Sequence, residues 1–168
     1  LPMGFYSASQ LVDDGKRHGL TILPVCINAS GYDHHIEHTP QGRALRLGLR
    51  LVKGGDKQQL LHCIEQRPPT GFAHLQQLLR VGLRQDQLNA LASADALLSV
   101  AGHRFQSRWA LLDQVAQLPL FQEEPMHSVP ELIQAPSADV TLVEDFHALG
   151  LSLTQHPIRL LEARQQLK

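Results

Sequence analysis

The stretch Ala44-Leu45-Arg46-Leu47-Gly48-Leu49-Arg50-Leu51-Val52-Lys53-Gly54-Gly55-Asp56 decides how this chain is read. Leu45, Leu47, Leu49 and Leu51 alternate with Arg46, Gly48 and Arg50. That is the period of a strand with one buried face, so residues 44–52 are predicted to be a strand. At Lys53 the period changes. Two glycines precede Asp56, whose short carboxylate suits a helix N-cap. A helix is expected from there to Arg67, burying Leu60, Leu61 and Ile64, and Pro68-Pro69 ends it. The bend Lys53-Gly54-Gly55-Asp56 thus leads into a helix N-terminus. Glycines let a ligand approach the backbone, and the unpaired N–H groups there carry partial positive charge, a combination that suits phosphate. Arg50, Lys53 and Lys57 add full charges. The bend is not a Walker A loop, because no Gly-Lys-Ser/Thr stands at the required spacing.

Working outward, the helical period continues. Residues 72–80 carry Leu75, Leu78 and Leu79, with Gly82 as the stop. Leu88, Leu91 and Ala92 mark the next helix, and Phe105, Trp109 and Leu112 mark a longer one that ends before Pro119. A second tight turn, Ala94-Asp95-Ala96, joins two of these helices, and Gly102, Arg104 and Arg108 follow it. Two helix–turn–helix units in tandem, both flanked by cations, form a paired binder of backbone phosphates. Such contacts position a duplex without reading its sequence.

Upstream, Ser7-Ala8-Ser9-Gln10 fits a capping box, and Gly19 closes the helix that follows. Residues 21–27 are β-branched and apolar, a strand that Pro24 confines to a sheet edge. Residues 28–42 form a polar loop or hairpin. Downstream, prolines 119, 125, 130 and 136 break any helical period, so this stretch is a linker or extended arm. A further helix carries Leu142, Val143, Phe146 and Leu149 and ends at Gly150. Residues 151–168 are expected to be a turn at His156-Pro157 and a terminal helix.

The 168 residues carry a net charge of −1 and are 43% hydrophobic, enough for one domain with a core or a small domain with an appendage. The charge is uneven. Residues 1–42 hold two Lys/Arg against four Asp/Glu, a net of −2. Residues 43–108 hold ten against four, a net of +6, and residues 109–168 hold three against eight, a net of −5. A basic middle can neutralise several phosphates in a salt-sensitive way. No apolar run approaches the roughly 20 residues of a membrane span, and no basic leader with an apolar region is seen. The start at Leu1-Pro2 rather than Met points to a piece of a longer protein. Cys26 and Cys63 read as buried free thiols.

Two other groups of residues invite different chemistry. Asp33, His34, His35, Glu37 and His38 could offer metal ligands, but no fixed spacing joins them, and the cluster is read as a solvated loop. Asp13-Asp14 is an adjacent pair within a helix, so the two carboxylates point in different directions. No Ser/His/Asp or Cys/His set is present for nucleophilic catalysis.

The strings Pro2-Met3-Gly4-Phe5-Tyr6-Ser7, Arg17-His18-Gly19, residues 44–54 and Ala94-Asp95-Ala96-Leu97 resemble the bacterial C-family DNA polymerases, the alpha subunits of DNA polymerase III type. The run from Leu45 to Gly54, with Gly150-Leu151-Ser152-Leu153-Thr154-Gln155-His156-Pro157, is most similar to the error-prone, damage-induced branch. The resemblance covers nearly the whole chain. It implies an α+β, mostly helical fold: the end of a strand-bearing finger subdomain over residues 1–42, then a tandem helix–hairpin–helix domain over 43–117. A linker over 118–138 and a helical segment over 139–168 leading to a following domain complete it. Its phosphate-contacting set would be Arg50, Lys53, Gly54, Gly55, Lys57, Ala94, Asp95, Ala96, Arg104 and Arg108. Gly55 departs from the family, which usually has an apolar residue there, and this predicts a looser first bend.

Gln117-Leu118-Pro119-Leu120-Phe121 resembles the peptide with which bacterial polymerases bind the sliding clamp. Its physics stands apart from the name: an extended segment ending in two large apolar anchors can dock in an apolar groove, with Gln117 bonding at the edge. The resemblance implies a parent DNA-directed DNA polymerase acting in translesion synthesis in the cytoplasm, with duplex DNA, the clamp and mutasome adaptors as partners. The carboxylates that hold its Mg2+ ions would lie in the palm, so this piece is expected to have no catalytic residues, no metal and no cofactor of its own. The alternatives are a protein-interaction module docking other polymerase or mutasome subunits, and the same region of a replicative polymerase.

Overall fold

The computed structural model describes residues 6–116 and 133–154. The first helix, α1, is Ala8–Arg17, and both halves of its capping box form: Ser7 Oγ accepts from the Gln10 amide, and the Ser7 amide donates to Gln10 Oε1. Three strands follow, β1 (Thr21–Leu23), β2 (His35–Thr39) and β3 (Gly42–Arg46). They lie in the order β1-β3-β2, with β1 parallel to β3 and β2 antiparallel to it. The first strand stops one residue before Pro24 and lies at a sheet edge, where the lost backbone donor breaks no ladder bond. Residues 28–42 supply the hairpin arm β2, with Thr39 paired to Gly42 at the turn. Arg46 crosses the hairpin to grip Glu37 and also donates to the Pro24 carbonyl.

The strand expected over residues 44–52 is only half right. It ends at Arg46, and Leu49–Leu51 form a short 3-10 helix instead. The reason lies at Gly48, whose backbone passes hard against residues 32 and 33. A Cβ there would sit 2.7 Å from the Asp33 carbonyl oxygen and closer still to that of Tyr32. The chain turns at this crossing, and the Leu49 and Arg50 amides donate to the Gly31 and Tyr32 carbonyls. The expected leucine face breaks with it. Ala44, Leu47, Leu49 and Val52 are buried, whereas Leu45 and Leu51 are only partly covered.

Five helices then build the bundle: α2 (Lys57–Glu65), α3 (Leu75–Arg80), α4 (Gln85–Ser93), α5 (Leu98–Ala101) and α6 (Arg104–Ala116). A last helix, α7 (Ala138–Ala148), packs back on α4. In α2, Cys63 takes the buried place expected of Leu61, because Leu60, Cys63 and Ile64 share one face at helical spacing. In α6 the buried stripe is Arg104, Ser107 and Leu111, while the expected Trp109 and Leu112 are 51% and 65% exposed. In α7, Leu142 is buried but Val143 is exposed. Gly82 and Gly150 close α3 and α7 in the left-handed conformation, as their places in the sequence imply.

One buried cluster runs from Val12 of α1 through Val25, Leu49, Leu60, Phe72, Leu78, Leu91 and Leu111 to Leu151. The expected boundary between residues 42 and 43 falls within β3, which pairs on both sides with strands from before it. Among the described residues, no helix is long and apolar enough to cross a membrane.

Candidate nucleic-acid interface

The first bend lies between the 3-10 helix and α2. Gly54 takes φ +80°, which glycine adopts without a steric penalty. Gly55 donates to the Val52 carbonyl at 3.0 Å, and Asp56 caps α2 by accepting from the Gln59 amide at 3.0 Å. The bend is not loose. A Cβ at Gly55 would meet Leu60 Cδ1 at 2.8 Å and the Val52 oxygen at 2.9 Å, so the missing side chain is what lets it close.

Gln87 of α4 holds the inner side of this bend. It is 1% exposed, its amide nitrogen donates to the Gly54 carbonyl at 3.0 Å, and its oxygen accepts from the Asp56 amide at 2.6 Å. The outer rim stays open. Among the described residues, the N–H groups of Gly54, Lys57 and Gln58 have no acceptor, and all three residues are exposed. Three outward donors beside Lys57 form a cradle of the kind that holds an oxyanion. Lys57 lies 5.5 Å over the Tyr32 ring, and exposed Arg50 pairs with Asp33 at 2.7 Å.

The second bend joins α4 to α5. Asp95, at φ +59°, is the one non-glycine described residue in the left-handed region. Short polar side chains tolerate that conformation best. The amides expected to meet phosphate are taken here: Ala94 donates to Ala90, Asp95 to Ala92 and Ala96 to Leu91. The Ala94 and Ala96 side chains are buried. The open donor falls further on, at exposed Ser99, while Leu97 is fully buried. Ala94, Asp95 and Ala96 thus shape the bend rather than present its donors.

Arg104 also departs from expectation. It is 1% exposed and ion-paired through Nη2 with Asp145 of α7, and the same nitrogen lies 3.4 Å from Asp95. Ser152 Oγ donates to the second Asp145 oxygen at 2.7 Å. A guanidinium so enclosed cannot reach a phosphate, and Arg104 is removed from the contact set. Its Nε and Nη1 and Asp95 Oδ1 are buried without a partner among the described residues. Arg108, one turn further, is about one-third exposed and bonds Glu144 at 2.5 Å and Ser93 at 2.9 Å. The Arg108 hydrogen bond holds the Glu144 carboxyl below its usual range.

Both bends rest on α4, the first against Gln87 and Ala90 and the second immediately after Ser93. Between them lies a cleft of about 350 Å³ lined by Lys53, Asn89, Ser93, Arg108, Glu144 and His147, among others. Sequence patterns point to Lys53 and Arg108 in this cleft but not to Gln87 or Glu144. Gln87 was detectable, since it lies four residues before Leu91 on the buried face of α4. Glu144 carried no such signal, because only the docking of α7 brings it to Arg108. Gln117, Leu118, Leu120 and Phe121 lie outside the described residues. Among the described residues no group of three or more His, Cys, Asp or Glu could hold a metal ion. The loop around Asp33 is instead engaged in local bonds: His34 Nδ1 accepts from the Gly48 amide at 2.9 Å, and Asp33 binds Arg50.

A family model described as a helix-hairpin-helix motif matches residues 19–107, more than half of the chain, and the chain belongs to that family. Curated relatives narrow the kinship. The chain is 44% identical to the error-prone DNA polymerase of Vibrio campbellii over 99% of its own length. It is 41% identical to that of Idiomarina loihiensis over 100%, and 39% identical to that of Alkalilimnicola ehrlichii over 99%. In each case the chain spans 16% of the relative's length. These matches bear out the resemblance drawn from the motifs, including its error-prone branch.

Proposed function

We propose that this chain is the duplex-binding segment of an error-prone DNA-directed DNA polymerase and that it supplies no catalytic group itself. The observation that carries the reading is the first bend. Gln87 locks its inner side, while the Gly54, Lys57 and Gln58 amides face outward beside Lys53 and Lys57. Such donors position a duplex through its phosphates and read no bases. The contact set is then Arg50, Lys53, Gly54, Lys57 and Arg108, with Gly55 shaping the bend and the Ser99 amide at the second bend.

The test is fluorescence anisotropy of the chain with duplex DNA at low and moderate salt. Replacing Lys53 and Lys57 together with Glu should weaken binding and flatten its salt dependence by about 0.9 per lost phosphate contact. Unchanged binding by the double variant would overturn the reading. Clamp attachment through Gln117, Leu118, Leu120 and Phe121 belongs to the same proposal. Leu120→Ala with Phe121→Ala should abolish capture by a bacterial sliding clamp with folding intact, and retained capture refutes it. Damage-induced translesion synthesis, Mg2+ in the parent's palm, mutasome adaptors as partners and a cytoplasmic setting complete the proposed context.

A second reading has its own support. Trp109 and Leu112 on α6 and Val140 and Val143 on α7 are all exposed apolar residues, which a protein-interaction module would use. In that case Trp109→Ala would remove a protein partner, whereas the Lys53/Lys57 variant would change neither that partner's binding nor the binding of DNA.

A further inference from the structure

We infer that α7 competes with the DNA backbone for the cations of the cleft, acting as an internal acidic cover that a bound duplex must displace. The inference rests on the duplex-binding reading.

Three contacts converge on it, one for each of three cations that the sequence assigns to phosphate. Lys53 donates its Nζ to the Phe146 carbonyl at 2.7 Å, and its backbone amide donates to the Ala148 carbonyl at 2.8 Å. These are carbonyls of the last turn of α7, where the helix carries partial negative charge. Arg108 gives its Nη2 to Glu144. Arg104 is buried against Asp145. At the two cations that reach the cleft, Lys53 and Arg108, a carbonyl and a carboxylate therefore stand where phosphate oxygens would stand.

The contacts differ in strength, and that sets the direction of the effect. The Arg104–Asp145 pair is enclosed and holds α7 to the bundle. Arg108 and Glu144 are each about one-third exposed and line the cleft with Lys53 and His147. A pair so open is weak and exchangeable, so an incoming phosphate can replace the carboxylate without dismantling the fold. The acidic share of residues 109–168 then serves to temper the basic middle of the chain.

The experiment compares the whole chain with Glu144→Gln, Arg108→Gln and the double variant, each tested for folding by circular dichroism. Duplex affinity is read by anisotropy across a salt series. Glu144→Gln should bind duplex roughly threefold tighter, in the range of a partly exposed pair, with a salt slope steeper by about 0.9 because Arg108 then neutralises one more phosphate. That increase should vanish in the Arg108→Gln background, because Glu144 acts through Arg108. Equal or weaker binding by folded Glu144→Gln, or an increase that survives without Arg108, overturns the inference. If the parent chain binds and Glu144→Gln does not differ from it, the cover fails alone. If neither binds duplex, both readings fail. Binding only by Glu144→Gln supports the cover.

Discussion

At the scale of single residues, Arg104 shows how burial changes what a charge is for. The sequence offers it as one cation among ten in the basic middle. The fold encloses it between Asp95 and Asp145, where its loss would strand a buried carboxylate. Arg104→Met should therefore cost about 3–5 kcal/mol, read as a lowered urea midpoint, and the double change Arg104→Met with Asp145→Leu should recover part of that. Cys63 is the opposite case. Burial pushes its thiol up to about 11, and Leu60 and Ile64 share its face of α2. At pH 8 an aromatic disulfide reagent should label Cys26 in the native chain and Cys63 only after unfolding. Labelling of both in the native state would contradict that packing.

The sequence places His34 in a solvated loop, yet in the fold it is a joint. Its ring nitrogen accepts from the Gly48 amide, which requires the neutral form, and burial followed by the Arg50 charge lowers its pKa below 6.5. The unfolded chain takes up the proton first, so the stability that His34 supplies is present above pH 6.5 and is lost as pH falls through its lower folded value. A stability–pH profile should show a decline below about 6.5 that His34→Gln flattens.

At the scale of elements, the capping residues were legible and the strand was not. Ser7 and Gln10, Asp56, and the glycines at 82 and 150 do their work within one turn of chain, so their residue types announce the helix ends. Asp56→Ala should cost about 1 kcal/mol as a lost cap. The alternation from Leu45 to Leu51 is equally regular, yet it misleads. The turn at Gly48 is imposed by residues 32 and 33, which no local pattern reports. Gly48→Ala should be far more damaging than Gly54→Ala, though Gly54 has the left-handed backbone. Gly54 faces open space, its nearest contact being the Ala90 methyl at 4.0 Å, so alanine there meets only the roughly 1–2 kcal/mol of that conformation. Thermal melts of the two variants would rank them, and the reverse order would refute the crossing.

At the scale of the whole molecule, the helical faces and the site depended on what packs against what. Trp109 and Leu112 look like core by period, yet α6 turns Arg104, Ser107 and Leu111 inward, with Asp145 of α7 meeting Arg104. The same docking should respond to acid. Glu144 is held below the usual 4.5 by Arg108, so its contribution is full above that value and is lost as pH falls through the lower folded one.

The order of bends, caps and basic residues was written in the chain itself, because turn chemistry and helix capping act over a few neighbouring residues. From these, and from the strings around Gly54 and Ala94-Asp95-Ala96, the helix–hairpin–helix character and its kinship followed. Which donors stay open, which cations are enclosed and where α7 lies were settled only by the tertiary structure. Those depend on contacts between residues 31 to 95 positions apart, such as Gln87 with Asp56 and Lys53 with Ala148, and burial and charge pairing across such distances leave no period in a sequence.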